Sequence, residues 1–477
     1  MKKFLAYVED GGNIVLFDNK NKFEIKNNYD SNLNQVLDTI TELQSCVCST
    51  NEPGVFHISI PAQNQNLLSE VKNDSGWVIN FDGMLDEDFS SQNQIYIEGE
   101  VEENTINAEL VYSNSDFKNY IFEFNTPIDS QILSQIKTNK GIKTLSLLTP
   151  AKTSLIDDQI NIRHSVDVEK SYVQKNIKEG HNWWKKHVNY PIKGLNILNS
   201  RLKKLNLCIL DNGIEYNHIA LHSSLLNLTN SNRLPDNVKK DLCVRGEFGL
   251  DVKSHNKCPK ASNGYDHGMQ MTGLIAADWD RTESMLPGIP FYSYKITNSM
   301  KAKPSDVLKG LEAAINNDTK LINFSYFQDW NQCHFDRVME KIKEKNIIIV
   351  TAAGNDSRNL DRFNKSFGFK KYKENLISVT AIDNKNVLLR VTYGSMVTIA
   401  APGTGLGSLT IASDTYTDGA GLTSAATALT TGAIAILLSK NMGISPHKVI
   451  KLIKHSNSTA ISQNDDKTNI PILHIPP

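Results

Sequence analysis

The chain lacks an excess of charge of either sign: 51 Lys and Arg stand against 52 Asp and Glu, a net charge of −1 over 477 residues. That balance argues against a broad electrostatic footprint for nucleic acid or an anionic membrane, so partners have to be read from chemistry. Cysteine is scarce as well. The six, at 46, 48, 208, 243, 258 and 333, stand at no metal-ligand spacing, because Cys46-Val47-Cys48 has no second pair. Free thiols are expected, with a Cys243–Cys258 bridge only in an oxidising space. No apolar run is expected to span a bilayer, the longest being broken by charge or ending as short strands. The opening Met1-Lys2-Lys3 looks like the start of a signal peptide, but Phe4-Leu5-Ala6-Tyr7-Val8 stops at Glu9-Asp10, short of an export core. A soluble protein with no membrane partner is expected, cytoplasmic or delivered by a route other than Sec. Internal repeats and low-complexity tracts are missing too. What is plentiful is Asn, Lys and Ile, which hints at an AT-rich bacterial genome.

A length of 477 residues predicts two or three domains. Residues 1–160 read as an α+β domain, in which β-type runs (Asn13 to Phe17, Val55 to Ile60, Trp77 to Phe81, Gln94 to Ile97) alternate with polar turns. Amphipathic helices are expected near Asn34 to Leu43 and Asn64 to Val71. A β-α-β unit closes this region: a strand Tyr120 to Phe124, a helix from Asp129 through Ile136, and a strand Ile142 to Leu148. Thr149 to Val166 reads as a polar linker. From 165 to 477, after an amphipathic lead-in over Val168 to Trp184, near-continuous apolar strands alternate with helices. This is the pattern of an α/β fold, a mainly parallel sheet covered by helices on both faces. The strands are Leu205 to Leu210, Phe291 to Ile296, Leu321 to Phe324, Ile347 to Thr351, Leu376 to Ala381 and Val397 to Ala401. The helices include a capped Ser305 to Ile315, Arg337 to Lys345 and Pro446 to Lys454, the last with Ser445 as cap.

One stretch organises the second half: Gly421-Leu422-Thr423-Ser424-Ala425-Ala426-Thr427-Ala428-Leu429-Thr430-Thr431-Gly432. A serine in the first turn of a buried helix has its backbone N–H unpaired and sits at the positive end of the helix dipole, a place suited to a nucleophile. Small residues after it let the helix lie close to a sheet, and Gly432 is expected to serve the same end. Three further polar residues fall where strands end or helices begin, where functional groups of such folds gather. Asp211 follows an apolar strand, His267 opens a helix, and Asn355 ends Ala352-Ala353-Gly354-Asn355 after a glycine that permits a sharp turn. Each alone is also ordinary cap or turn chemistry.

Together these residues and their surroundings resemble the subtilisin-like serine proteases, in that family's order. Asp211-Asn212-Gly213-Ile214 with His218 seven residues after the aspartate resembles its aspartate block. His267-Gly268 followed by Gly273-Leu274-Ile275-Ala276 is similar to its histidine block, and Thr423-Ser424 with Ala426-Thr427 and Gly432 to its nucleophile helix. The resemblance spans roughly residues 170 to 475. It implies a subtilisin-like fold and a serine endopeptidase with a triad of Asp211, His267 and Ser424 and Asn355 as oxyanion donor. It also implies a substrate-binding set of Asn323, Ser325, Ala352, Ala353 and Gly354, acting on a protein or peptide. No cofactor or metal site is expected, structural calcium being left open. The rival reading is a catalytically silent scaffold or regulatory binding protein.

The chain departs from the family pattern at four positions. Leu422 stands where a glycine is usual and is expected to narrow the approach to Ser424 or to tilt the loop. Ala428 replaces a proline, Asn212 a hydroxyl residue and Met269 a threonine. The segment from Leu226 to Ser262 reads as a surface insertion or, alternatively, a substrate or partner surface, and the N-terminal region as a pro-domain that inhibits or chaperones the protease intramolecularly or, alternatively, as a targeting domain.

Overall fold

The computed structural model describes residues 2–9, 13–17, 22–25, 46–49, 55–60, 93–99, 101, 106–114, 118–125, 136, 142–148, 151–153, 183–191 and 201–476. The last range is interrupted at 255–256, 263–264, 280–282, 329, 331–332, 361–367, 370, 413–414, 456–457 and 462–466. Two compact units result, one of residues 1–149 with 331–337 and one of residues 150–330 with 338–477.

In the first unit β1 (Lys2–Glu9), β2 (Asn13–Phe17), β3 (Lys22–Ile25), β4 (Cys46–Ser49) and β5 (Val55–Ile60) form an antiparallel sheet of order β3-β2-β1-β5-β4. A second antiparallel sheet of order β7-β8-β6-β9 is built from β6 (Gln94–Gly99), β7 (Glu109–Asn114), β8 (Asn119–Glu123) and β9 (Ile142–Leu147). The expected strands at 13–17, 55–60, 94–97, 120–124 and 142–148 are all present. The closing unit differs in one respect. Its two strands do not pair; β6 lies between them, antiparallel to each, which leaves β8 and β9 parallel in a split β-α-β arrangement. Alternation along β6 and β8 buries Ile95, Ile97 and Phe122 in this sheet's small core. The expected strand at 77–81 and the helices at 34–43 and 64–71 lie outside the described residues, as does most of the helix at 129–136.

The second unit opens with β10 (Ala151–Thr153) and α1 (Trp183–His187). The predicted linker is therefore not featureless: three of its residues form a strand. A seven-stranded, all-parallel sheet follows among the described residues, of order β12-β13-β11-β15-β17-β18-β19. It is made of β11 (Cys208–Asp211), β12 (Gly249–Asp251), β13 (Tyr292–Lys295), β15 (Leu321–Phe324), β17 (Ile348–Ala352), β18 (Leu376–Ile382) and β19 (Ile399–Pro402), with β14 (Lys301–Ala302) and β16 (Tyr326–Phe327) standing outside it. Leu205 falls in a 3₁₀ turn, Lys203–Leu205, so β11 begins three residues later than the apolar run predicts.

Between them run α2 (His222–Thr229), α3 (Asp236–Arg245), α4 (His267–Ala276), α5 (Pro304–Asn316), α6 (Asp336–Glu344), α7 (Leu422–Lys440) and α8 (Pro446–Ile453). Strand alternation divides these between the faces. Ile209 joins the core cluster that holds Met269 and Leu429, whereas Leu210 meets α5 at Gly310. Thus α4 and α7 cover one face and α5 the other, as the fold class requires. The start of α5 carries no side-chain cap: Pro304 occupies its first turn and the preceding Lys303 makes no capping bond. Ser445 does cap α8, accepting from the Lys448 amide.

The segment after β11 is an ordered insertion. It supplies α3, the edge strand β12 and a disulfide between Cys243 and Cys258, where free thiols were the first expectation. Cys208 is a buried free thiol.

Helix α7 corrects two expectations. By length and mean hydropathy (1.6) it could cross a bilayer, but 94% of it is buried inside the protein, as befits a helix packed under a sheet. Nor does Gly432 serve the approach to the sheet. A Cβ there would stand 2.3 Å from Cβ and 2.7 Å from Cγ of Met285, in the segment after α4.

In an exposed helix Gly→Ala gains about 1 kcal/mol, but overpacking costs about 1–3 kcal/mol, and Met285 Cβ cannot swing aside as a chain end could. Gly432→Ala is therefore expected to lower the urea midpoint of unfolding. A rise would show that the segment holding Met285 gives way freely.

Candidate active site

The parallel sheet delivers its strand ends to one edge, and the chain spends its polar residues there. Asp211 is the last residue of β11, buried on the face that meets α4. His267 is the first residue of α4 and equally buried. Its Nδ1 lies 2.8 Å from Asp211 Oδ1 and 3.0 Å from Oδ2, and its Nε2 lies 3.0 Å from Ser424 Oγ. A carboxylate, an imidazole and a hydroxyl are thus hydrogen-bonded in one line. With Nδ1–H donated to Asp211, Nε2 is left as an acceptor facing the hydroxyl.

Local sequence explains how this arrangement is held. Gly268 follows His267 because a Cβ there would stand 2.4 Å from the Gly213 carbonyl and 2.8 Å from Asn212 Oδ1. Instead the Gly268 amide donates to Asn212 Oδ1 at 2.8 Å, tying the start of α4 to the loop after β11. Asn212 gives its backbone N–H to Asp211 Oδ1 (2.8 Å) and its side-chain amide to the Tyr265 carbonyl (3.3 Å). Met269 Sδ accepts from the Glu215 amide at 3.0 Å. The residues at 212 and 269 therefore brace the loop around Asp211.

Ser424 is the third residue of α7, in the turn whose N–H groups have no intrahelical acceptor. Its Oγ also lies 2.9 Å from the Ser325 carbonyl, a second acceptor for its one proton, while Ser325 Oγ returns a bond to the Ser424 carbonyl at 3.1 Å. Ser325 is held by Asn323 Nδ2 at 3.0 Å, and Asn323 Oδ1 accepts from Thr431 Oγ1 at 2.9 Å. Asn323 is thus consumed in bolting β15 to α7. Of the expected substrate-binding set, Asn323 and Ser325 both have side chains occupied as donor and acceptor inside the core.

Asn355 follows β17 at the turn made by Gly354, whose φ is +106°. Its Oδ1 accepts from the Thr423 amide (3.3 Å) and from Thr423 Oγ1 (2.8 Å). Those bonds fix which way the amide points. Its Nδ2 is buried and bonds to nothing among the described residues. Buried donors are rarely left unmatched, and this one is open to an acceptor. Ala352 and Ala353 are buried, and the Ala353 amide is spent on the Val379 carbonyl at 2.9 Å.

Two features escaped the sequence reading. Thr423, whose hydroxyl sets Asn355, looks like any small residue of the helix start. Tyr326, whose hydroxyl reaches Asp211 Oδ1 at 3.4 Å, sits in a short strand with no signal beyond its aromatic ring.

A sequence profile described as the subtilase family matches residues 203–470. Among curated proteins, subtilisin DY of Bacillus licheniformis is 30% identical over 227 residues, 46% of this chain and 78% of that one. Among solved structures, fervidolysin of Fervidobacterium pennivorans, a keratinolytic enzyme related to subtilisin, aligns with a TM-score of 0.55 at 16% identity, covering 82% of this chain and 61% of that one. The epidermin leader peptide processing serine protease of Staphylococcus aureus aligns with a TM-score of 0.53 at 16% identity, covering 80% and 98%. At such identities the two structures speak for the fold alone.

Leu422 occupies the left-handed region, φ +58°, with its amide donating to the Gly403 carbonyl at 2.6 Å and its side chain packed against the core. For a residue with a Cβ this conformation costs about 1–2 kcal/mol, a physical reason for glycine at this position. We expect Leu422→Gly to be more stable than Leu422→Ala by about 1 kcal/mol, the reverse of their order inside a helix, with kcat of the glycine variant near the parent's. Equal urea midpoints for the two variants would refute the strain. A large rise in kcat would instead restore the view that Leu422 obstructs the cleft.

Proposed function

Because the chain belongs to the subtilase family of serine peptidases, we propose that it hydrolyses peptide bonds through an acyl-enzyme on Ser424, with His267 as base and then acid, Asp211 orienting the imidazole, and Asn355 receiving the oxyanion. The observation that carries this reading is the line Asp211–His267–Ser424 with the unmatched Asn355 Nδ2 beside it. Ser424 Oγ has one proton and two neighbours that accept it, Ser325 O and His267 Nε2. A peptide strand continuing the ladder one residue beyond Tyr326 donates its own N–H to the Ser325 carbonyl and turns the serine proton toward His267. The hydroxyl oxygen then attacks the scissile carbonyl carbon as Nε2 takes the proton. Negative charge develops on the carbonyl oxygen, where Asn355 Nδ2 and the Ser424 amide donate to it. Asp211 stabilises the imidazolium, which protonates the departing amine, and a water repeats the sequence to release the acid. These groups complete the proton traffic among themselves, so the proposed chemistry calls for no cofactor.

A strand of the chain's own supports an intramolecular control of this site. Within the second unit β10 lies between β14 and β16, antiparallel to both, with Ala151 opposite Ala302, Lys152 opposite Lys301 and Phe327, and Thr153 opposite Tyr326. It runs along Tyr326 and Phe327, next to Ser325, as an edge-paired peptide would. We read residues 151–153 as an inhibitory, substrate-like strand. The Cys243–Cys258 disulfide supports delivery to a compartment outside a reducing cytosol.

Ser424→Ala and His267→Ala are each expected to lower kcat by about 10⁶-fold and to abolish labelling by a fluorophosphonate. Asn355→Ala should lower kcat by about 10²–10³-fold with little change in KM, the size seen when the corresponding donor is removed from a subtilisin. Labelling that survives in Ser424→Ala would sink the nucleophile, and a pure KM effect would make Asn355 a substrate contact.

For the control strand, Lys152→Pro removes a backbone donor from the middle of a three-strand sheet. In the full-length protein we expect it to speed fluorophosphonate labelling about tenfold, one strand-pairing bond weakened. Unchanged labelling and unchanged peptide hydrolysis would leave β10 a structural strand.

A further inference from the structure

A phenol with no exposure to solvent needs an acceptor inside the protein, and the one recorded for Tyr326 is an oxygen of the carboxylate that orients His267. Tyr326 is fully buried in β16. Its hydroxyl stands 3.4 Å from Asp211 Oδ1, and its ring meets the His267 ring edge to face, centroids 5.5 Å apart at 76°. Burial, and then the Asp211 charge, push the phenol well above the usual tyrosine range, so it is a donor near neutral pH. The residue is itself held. Its carbonyl accepts from Thr351 Oγ1 at 3.0 Å, and its ring stacks on Phe324 at 5.5 Å and 27°, which in turn meets Trp330 edge to face.

Asn212 leaves the role open. Its side chain faces Gly268 and Tyr265, so only its backbone N–H serves the carboxylate. Among the described residues Tyr326 is the one hydroxyl donating to Asp211. Carboxylate rotation would let the bond to Nδ1 pass from one oxygen to the other, because the two stand at nearly equal distances, 2.8 and 3.0 Å. A donor fixed on Oδ1 opposes that rotation.

We infer that Tyr326 is a positioning residue of the triad, its hydroxyl locking the Asp211 carboxylate and its ring bracing His267 so that Nε2 stays in line with Ser424. The inference rests on the triad reading above. It acts through Asp211 and His267, and the tyrosine exchanges no proton in the reaction.

The test uses the full-length protein with Tyr326→Phe, which keeps the ring, Tyr326→Leu, which removes ring and hydroxyl, and Ser424→Ala as control. Two quantities are read: kcat and KM on a chromogenic peptide, and the most downfield imidazole N–H proton resonance, identified by its loss in His267→Ala. Tyr326→Phe is expected to lower kcat about three- to tenfold, the range for a long hydrogen bond to a charged acceptor, with KM unchanged and the resonance shifted. Tyr326→Leu should lower kcat further and broaden the resonance. Parent kcat and an unmoved resonance in Tyr326→Phe would overturn the inference, as would a loss residing wholly in KM, which would mean that Tyr326 serves the peptide strand. Should Tyr326→Leu fail to fold, the phenylalanine variant alone decides. Hydrolysis that persists in Ser424→Ala would overturn the triad itself, a result distinguishable from failure of Tyr326 alone.

Discussion

Everything at the site depends on one constraint: helix α7 is buried almost end to end, yet its first turn has to present a hydroxyl and free N–H groups. A buried helix start is costly unless its unpaired donors find acceptors. Here the Leu422 amide goes to Gly403 and the Thr423 amide to Asn355, and the Ser424 carbonyl takes a bond from Ser325. The threonines farther in are handled differently. Thr427 and Thr430 return their hydroxyls to carbonyls one turn back, which lets a helix carry polar side chains through an apolar core. What remains at the helix start is the Ser424 hydroxyl, and it faces His267.

The parallel sheet answers the same constraint from the other side. Asp211 ends β11, Ser325 follows β15, and Asn355 follows β17, so three neighbouring strands set these polar residues at one edge. Each is then tied to a helix rather than to solvent. Asn323 joins Ser325 to Thr431, Asn355 joins Gly354's turn to Thr423, and Asn212 joins the β11 loop to Gly268. Asparagine suits the task because one planar group offers an acceptor and two donors. In Asn355 one donor is left over.

Strands buried on both faces were legible in the sequence because their apolar runs are nearly unbroken; Leu321–Phe324 appears at its expected bounds. Triad candidates were legible because each stands at a strand end or helix start inside a short motif. The structure brings Asp211, His267, Asn355 and Ser424 together. Short elements were less readable. Three-residue strands such as β10 and β12 carry too little pattern to rise above loop, and both exist because a neighbouring edge offers partners. The Cys243–Cys258 bridge depends on α3 and the loop after β12 converging, which spacing alone does not encode. Gly432 misled for a related reason: sequence reveals a close approach but not the partner, here Met285.

The departures from the family pattern gather around Asp211 and the start of α7, and packing explains their tolerance. Asn212 lacks the usual hydroxyl, yet it keeps a backbone donor on the carboxylate and gains a bond to the start of α4. Leu422 accepts a left-handed backbone, and its side chain is partly buried against the core, which offsets part of that cost at about 25 cal/mol per Å² of apolar surface removed from water. Met269 supplies a sulfur to the Glu215 amide. In each case a side chain other than the usual one supplies the bonds or packing next to Asp211, His267 or Ser424. A triad is defined by the mutual placement of three atoms, so many second partners can satisfy it, and the chain is free to exchange them as long as none of the exchanges moves His267 Nε2 away from Ser424 Oγ.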